Sequence, residues 1–180
     1  MDLLGEKVNI RYLETKDAEA LLQLESRNQS FFQMYTGTRE QEFYTLEGQI
    51  QRIQRGLDKK DLDQAYTFGI FLIENGEMIG TIGLFEVLRG HLQSCFVGYF
   101  LDKDQNGKGY MTEAVRLLVT YSFEVLKLHR IEAGVMPHNL GSMKVLLKAG
   151  FHKEGIARKN VKIDGTWQDH QVLAIINEND

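Results

Sequence analysis

Residues 97–115 read VGYFLDKDQNGKGYMTEAV. An apolar run passes into a polar turn with two glycines around a lysine, and then into a run with helical spacing. The apolar part extends back to Ser94. It predicts a strand over Ser94–Leu101, buried on both faces. Apolar residues at Met111, Ala114, Val115, Leu118, Val119, Ser122 and Val125 predict a helix to about Leu126. Strand, glycine loop and helix N-terminus together make the geometry of an anion site. The first N–H groups of a helix lack internal partners, and the helix dipole adds partial positive charge there. Gly107 and Gly109 can adopt positive φ and carry no side chain to block a ligand. The N–H groups of Gly107, Lys108, Gly109, Tyr110 and Met111 can ring a pyrophosphate, with Lys108 adding charge at the rim. A P-loop would need Ser or Thr after its lysine, where Gly109 stands, and a dinucleotide fingerprint would need a third glycine, where Thr112 stands. A tight turn without a ligand is the other reading, and the glycines alone do not separate the two.

Working outward, the alternation in VNIRYL from Val8 predicts a first strand. TKDAEALLQLESRN predicts a helix capped by Thr15, and LEGQIQRIQRGLDKK a second one. The sparse apolar face of the latter (Leu46, Ile50, Ile53, Leu57) suits the edge of a structure. AYTFGIFLI and MIGTIGLFEVL, joined by ENGE, predict a hairpin. RIEAGVM predicts a strand ended by Pro137. NLGSMKVLLKAGF predicts a helix capped by Asn139 and stopped by Gly150. FHKEGIARKNVKI and QDHQVLAII, joined by DGTW, are the last predicted strands. The order predicts an α+β fold, a mixed sheet flanked by helices.

The chain has 180 residues, 43% of them hydrophobic, which suits a single domain over 1–180 with a real core. A formal net charge of −4 argues against direct nucleic-acid binding. The single Cys95 excludes an internal disulfide and fits a reducing, cytoplasmic setting. Neither a signal peptide nor a membrane span is expected. The five histidines (91, 129, 138, 152, 170) show no metal-ligand spacing, so no metal is expected. No nucleophile elbow or Ser–His–Asp set can be assigned.

The glycine-loop stretch resembles the acetyl-CoA-binding core of the GCN5-related N-acetyltransferases, as does HNLGSMKVLLKAGFHKEG from His138. The match extends to VNIRYLETKDAEALLQL and to DGTWQDHQVLAI, leaving out roughly residues 27–60. Within that family the chain is most similar to the branch that acetylates the N-terminal amines of ribosomal proteins. The resemblance implies an acyl-CoA N-acyltransferase fold with a mostly antiparallel sheet. Its strands four and five splay apart, and the pantetheine arm of acetyl-CoA inserts between them. Here those strands are Ser94–Leu101 and residues 130–136. The resemblance places Leu101 where a backbone group pairs with pantetheine, and Tyr99 and Phe100 near the thioester carbonyl. It places Gly107 to Met111 on the pyrophosphate, and Asn139 beside the cofactor. A homodimer is the family habit.

The chain departs from the family pattern in four places. Asp104 occupies a slot that usually holds Gln or Arg, so cofactor affinity is expected to rest on backbone donors and Lys108. Leu146 stands where many relatives carry a tyrosine general acid. In the ribosomal branch a serine three residues after the asparagine takes that role, and Ser142 matches it; it is otherwise an ordinary first-turn serine. Val161 stands where the branch has a proposed glutamate base. Glu86, late in its strand, is then the candidate base, or else a solvated strand-end glutamate. Glu132 can merely pair with Arg130. The aromatic segment SFFQMYTG, with Phe31, Phe32, Met34 and Tyr35, forms either core or acceptor wall, and Trp167 and Tyr44 either join that wall or a dimer contact.

The reading is an acetyl-CoA-dependent N-acetyltransferase in which the amine attacks directly within a ternary complex. A free α-amine titrates near ~7.7–8.0 and a lysine near ~10.4, a difference of about 3.4 kcal/mol in deprotonation cost. The sparse acid–base set therefore leans towards the α-amine of a protein N-terminus, such as that of a ribosomal protein. The alternatives are a non-catalytic acyl-CoA sensor and an enzyme acting on a polyamine or antibiotic.

Overall fold

In the computed structural model, which describes residues 2–180, the chain builds one eight-stranded sheet flanked by helices on both faces, an α+β arrangement. The strands are β1 (Asp2–Leu4), β2 (Val8–Tyr12), β3 (Tyr66–Leu72), β4 (Met78–Leu88), β5 (Ser94–Leu101), β6 (Arg130–Val135), β7 (His152–Ile163) and β8 (Thr166–Ile176). The helices are α1 (Ala18–Arg27), α2 (Gln29–Thr36), α3 (Leu46–Asp61), α4 (Tyr110–Glu124) and α5 (Leu140–Lys148). Spatial order is β1-β2-β3-β4-β5-β6-β8-β7. Every pairing is antiparallel except β5 with β6.

Strand periodicity divides the core into two. Tyr66, Phe68, Ile70 and Leu72 of β3 face one side, where Met111, Ala114, Val115 and Leu118 of α4 cover them together with Leu146 of α5. Phe71 of β3 faces the other side and packs with Leu21 and Leu24 of α1, Phe32 of α2 and Ile53 of α3. β7 is exposed over nearly its whole length, as an outer edge strand. The β7–β8 turn is narrower than DGTW: Asp164 (φ 45°) and Gly165 (φ 81°) form a two-residue connection of left-handed residues.

Several expectations require correction. Thr15 does not cap α1. A 3-10 turn over Thr15–Asp17 intervenes, and Asp17 accepts the Glu14 N–H at 2.8 Å while a bidentate pair with Arg11 ties it to β2. α2 was not anticipated. Asn28 reads as the end of a helix, yet it is a buried joint between two: its Nδ2 donates to Leu24 O and its Oδ1 accepts the Lys103 N–H. The short β1 is an edge strand paired to β2 alone, and it moves the expected strands four and five to fifth and sixth place. β5 is not buried on both faces: Cys95, Val97 and Leu101 are buried, but Phe96 and Gly98 to Phe100 are partly open.

That opening has a cause in the pairing. β5 and β6 pair over Ser94–Phe96 and Arg130–Glu132 and then part. Each keeps its outer partner, β5 to Gly80↔Leu101 on β4 and β6 to Val135↔Gln171 on β8. A bulge between Phe85 and Leu88 of β4, with Glu86 at φ 50°, lies at the other end of β5, opposite Ser94–Phe96, where β5 and β6 still pair.

The C-terminal end of α1 latches the end of β5. Arg27 Nε donates to Asp102 Oδ2 at 2.7 Å, and Asp102 Oδ1 accepts the Asp104 N–H at 3.1 Å. Burial alone would raise the Asp102 carboxyl, but the Asp104 N–H, Arg27 and Asn28 outweigh it and hold the group below its ordinary value. A carboxyl depressed by folding adds stability above its unfolded value of ~3.9, and that stability is lost as pH falls through the folded value. Asp102→Asn should therefore cost about 1–3 kcal/mol in urea unfolding at pH 7. The gap from the native protein should narrow at pH 3; an equal gap at both pH values would show that the ionised carboxylate is not the source.

Candidate active site

The polar turn and α4 build one half of the site. Gly107 (φ 79°) and Gly109 (φ 85°) are left-handed, and a Cβ on either would meet nothing within 4 Å. Their conformation is the need for glycine here, and it leaves the backbone bare. Among the described residues, the N–H groups of Gly107, Lys108 and Gly109 donate to no other part of the chain. Tyr110, Met111 and Thr112 add the unpartnered N–H groups of the first turn of α4. Most of this arc lines a cavity of about 590 Å³. Backbone donors at the positive end of a 15-residue helix suit a diphosphate.

The charges at this cavity differ from expectation. Lys108 does not line it; its Nζ donates to Gln105 Oε1 at 2.8 Å. Lys144 and Lys148, one turn apart on α5, do line it. Spacing of i and i+4 on a helix opposite the glycine loop was the signal for them. Asp104 is exposed and lies outside the lining, so it does not oppose an anion there.

The other half is the gap between β5 and β6. The bond from Asp102 N–H to Ile79 O at 2.8 Å sets the phase of the β4–β5 ladder. By alternation, Phe100 and Gly98 spend their main-chain groups on β4, while those of Leu101 and Tyr99 point across the gap. The side chain of Phe100 packs on Phe32 of α2, with ring centroids 5.1 Å apart. Phe100 thus meets the gap through its side chain and not through its N–H.

At the mouth of the gap, Asn139 Oδ1 caps α5 by accepting the Ser142 N–H at 3.2 Å. The Tyr99 hydroxyl sits 2.8 Å from Ser142 Oγ and 3.2 Å from Ser142 O. Burial pushes the Tyr99 phenol well above its ordinary value, and the Ser142 contact pulls it back only in part. This hydroxyl pair was not anticipated as a pair. The partners lie 43 positions apart, and only the approach of α5 to β5 joins them.

Tyr35, Tyr99, Phe100, Asn139 and Ser142 line both the large cavity and a second one of about 290 Å³ inside the gap. Leu146 and His170 line the second cavity, but Glu86 lines neither. Glu86 is exposed, and its side chain makes no hydrogen bond among the described residues. His170 is 7% exposed, with Nδ1 2.9 Å from Asn160 Oδ1. Glu132 pairs with Arg130 at 2.8 Å. Val161 is exposed on β7. Burial pushes the Cys95 thiol up to about 12, which keeps it protonated and inert. The aromatic segment divides: Phe32 is buried core that also lines the large cavity, Phe31 and Tyr35 line that cavity with it, and Met34 is exposed. Trp167 is exposed, and Tyr44 packs edge-on against Phe43.

A profile of the acetyltransferase (GNAT) domain matches residues 7–152. The chain is 58% identical over 178 residues to the probable N-acetyltransferase YjcK of Bacillus subtilis (strain 168), covering 99% of this chain and 98% of that one. It superposes on the ribosomal-protein-S5-alanine acetyltransferase of Vibrio fischeri with a TM-score of 0.93 at 31% identity, covering 99% and 98% of the two chains. It superposes on Mycobacterium smegmatis RimJ, solved with CoA-disulfide, with a TM-score of 0.89 at 26% identity, covering 98% and 90%. With a glycine arc at a helix N-terminus, a parallel strand pair that parts, and a family match over most of its length, the chain belongs to the GNAT acetyltransferases and is an N-acetyltransferase.

Proposed function

We propose that this acetyltransferase moves the acetyl group of acetyl-CoA to the N-terminal α-amine of a cytoplasmic protein, a ribosomal protein by its kinship. The parting of β5 and β6 carries the reading, because it sets unpaired main-chain groups beside a half-buried hydroxyl pair. Acetyl-CoA brings an activated acetyl thioester. The N–H groups of Gly107 to Met111 hold its diphosphate, and Lys144 and Lys148 supply the cations. Leu101 main-chain groups pair with the pantetheine arm, and the Tyr99 N–H polarises the carbonyl. Tyr99, held protonated, donates to Ser142, so that the serine hydrogen is free for the departing sulfur. With Asn160 Oδ1 as acceptor, His170 Nδ1 carries the proton and Nε2 is the basic nitrogen that takes a proton from the amine. Glu86, outside both cavities, is left without this role. Positioning and carbonyl polarisation supply most of the rate.

Gly109→Val should raise the KM for acetyl-CoA at least ten-fold, since a β-branched residue strains at positive φ. Unchanged cofactor affinity in calorimetry would count against the glycine arc. Ser142→Ala and Tyr99→Phe should each lower kcat by about ten- to hundred-fold with little change in that KM. The two losses should not add in the double variant, because both act on one proton; additive losses would dissolve the relay. The acceptor is tested with peptides bearing a free N-terminus against blocked peptides with an internal lysine. Faster turnover of the lysine peptides, or of polyamines, would overturn the α-amine reading.

A further inference from the structure

A third cavity, of about 320 Å³, continues from the gap on the face of the sheet that carries α3. It shares Phe85, Gly98 and Phe100 with the gap, and Phe100 borders all three cavities. Its floor follows strand periodicity. Thr67 of β3, Thr81 and Gly83 of β4, and Gly98 of β5 all point to this face, while their neighbours Tyr66, Ile82, Leu84 and Val97 fill the opposite core. Gly83 and Gly98 are directly paired across the ladder. A Cβ on Gly83 would come within 2.7 Å of Tyr66 O, and one on Gly98 within 3.2 Å of the Phe85 ring. The floor is therefore low where the groove runs into the gap. Small residues on three adjacent strands, β3, β4 and β5, leave an open groove beside α3.

The wall of this groove is cationic. Arg52, Arg55 and Lys59 of α3 line it, and among the described residues no acidic side chain does. Arg52 is spoken for by Glu25 at 2.6 Å. Arg55 and Lys59, one turn apart, are exposed, and their side chains take no ion pair or hydrogen bond among the described residues. The protein as a whole carries a formal charge of −4. Two uncompensated cations on a groove free of acids thus run against the charge of the molecule. The groove is also distinct from the glycine arc and the α5 lysines, which line only the large cavity.

We infer that this groove receives the acceptor chain, and that the acceptor is a polypeptide whose first few residues after the α-amine carry carboxylates, paired with Arg55 and Lys59. The inference rests on the α-amine reading and adds to it the chemistry of the substrate. An amine entering along the groove reaches Gly98 and Phe100, where the gap begins, while the residues behind it lie beside α3. Carboxylates there meet two cations across a groove roofed by a helix. The pairs are partly exposed and sensitive to salt, so they act on encounter and selection more than on the chemical step.

The test uses the full-length protein with acetyl-CoA and three peptides that share a tail and begin Ala-Glu-Asp, Ala-Gln-Asn or Ala-Lys-Arg. Thiol release should show kcat/KM for the acidic peptide about ten-fold above the neutral one, and the basic one lowest. The preference should shrink at ~0.5 M salt. Arg55→Glu with Lys59→Glu should reverse the order of the acidic and basic peptides while leaving the KM for acetyl-CoA in place. Equal kcat/KM for all three peptides, or an order unchanged by the charge reversal, would overturn the inference and leave the α-amine reading standing. No thiol release from any peptide, with release from a small amine, would overturn both.

Discussion

Two adjacent strands that stop bonding to each other part-way along their length are the constraint on which the rest of the structure depends. β5 and β6 share three residue pairs and then separate, while each remains paired on its outer side. A strand edge buried without partners is costly, about 1–3 kcal/mol for each unsatisfied group. Each strand is held to its outer ladder, and α5 stands at the rim with Ser142 against Tyr99. Asn139 caps α5 at one rim, Tyr99 meets Ser142 across it, and the Arg27–Asp102 pair fastens the far end of β5 to α1. An extended ligand arm with amide groups satisfies the edges that the protein leaves bare, as an added strand does.

The local parts of this site were legible in the sequence, and the non-local parts were not. The glycine arc announces itself by two glycines between a strand and a helix, and the observed positive φ of Gly107 and Gly109 is what such a turn requires. The cap at Asn139 was readable for the same reason, since a cap is decided within four residues. α2 was hidden because Asn28 ordinarily marks a helix end, and the bond that buries this joint comes from Lys103, 75 positions along the chain. The exposure of one face of β5 was hidden too. An apolar run reads as doubly buried, and nothing in the run tells where its neighbour departs. His170, Lys144 and Lys148 carry ordinary local patterns, and they became site residues only when β8 and α5 brought them to the cavities.

The chemistry of the site matches its sparse equipment. The side chain in the tyrosine slot is Leu146, which is fully buried and lines the gap. The phenol that does reach the gap comes instead from β5, and burial holds it protonated. A donor that cannot ionise near neutrality is suited to hold another hydroxyl in place rather than to gain and lose a proton itself. Thiolates are tolerable leaving groups, with free thiols near ~8.5, so modest assistance is enough. The same reasoning sets Cys95 aside: at about 12, its thiol is a packed hydrophobe.

β5 shows how one strand serves three ligand regions at once. Its main-chain groups at Tyr99 and Leu101 point in the plane of the sheet, across the gap. The side chain of Tyr99 rises on the α5 face and meets Ser142. Gly98 and Phe100 fall on the α3 face, where the first is absent as a side chain and the second closes the corner among the three cavities. A one-residue slip of the β4–β5 register would exchange these faces, placing the phenol under α3 and a bare backbone beside α5. The bond from Asp102 to Ile79 and the buried carboxylate beneath it hold that register at the end of the strand nearest the glycine arc. The electrostatic latch between α1 and β5 is thus a condition of the chemistry some residues away, even though neither Arg27 nor Asp102 touches a cavity.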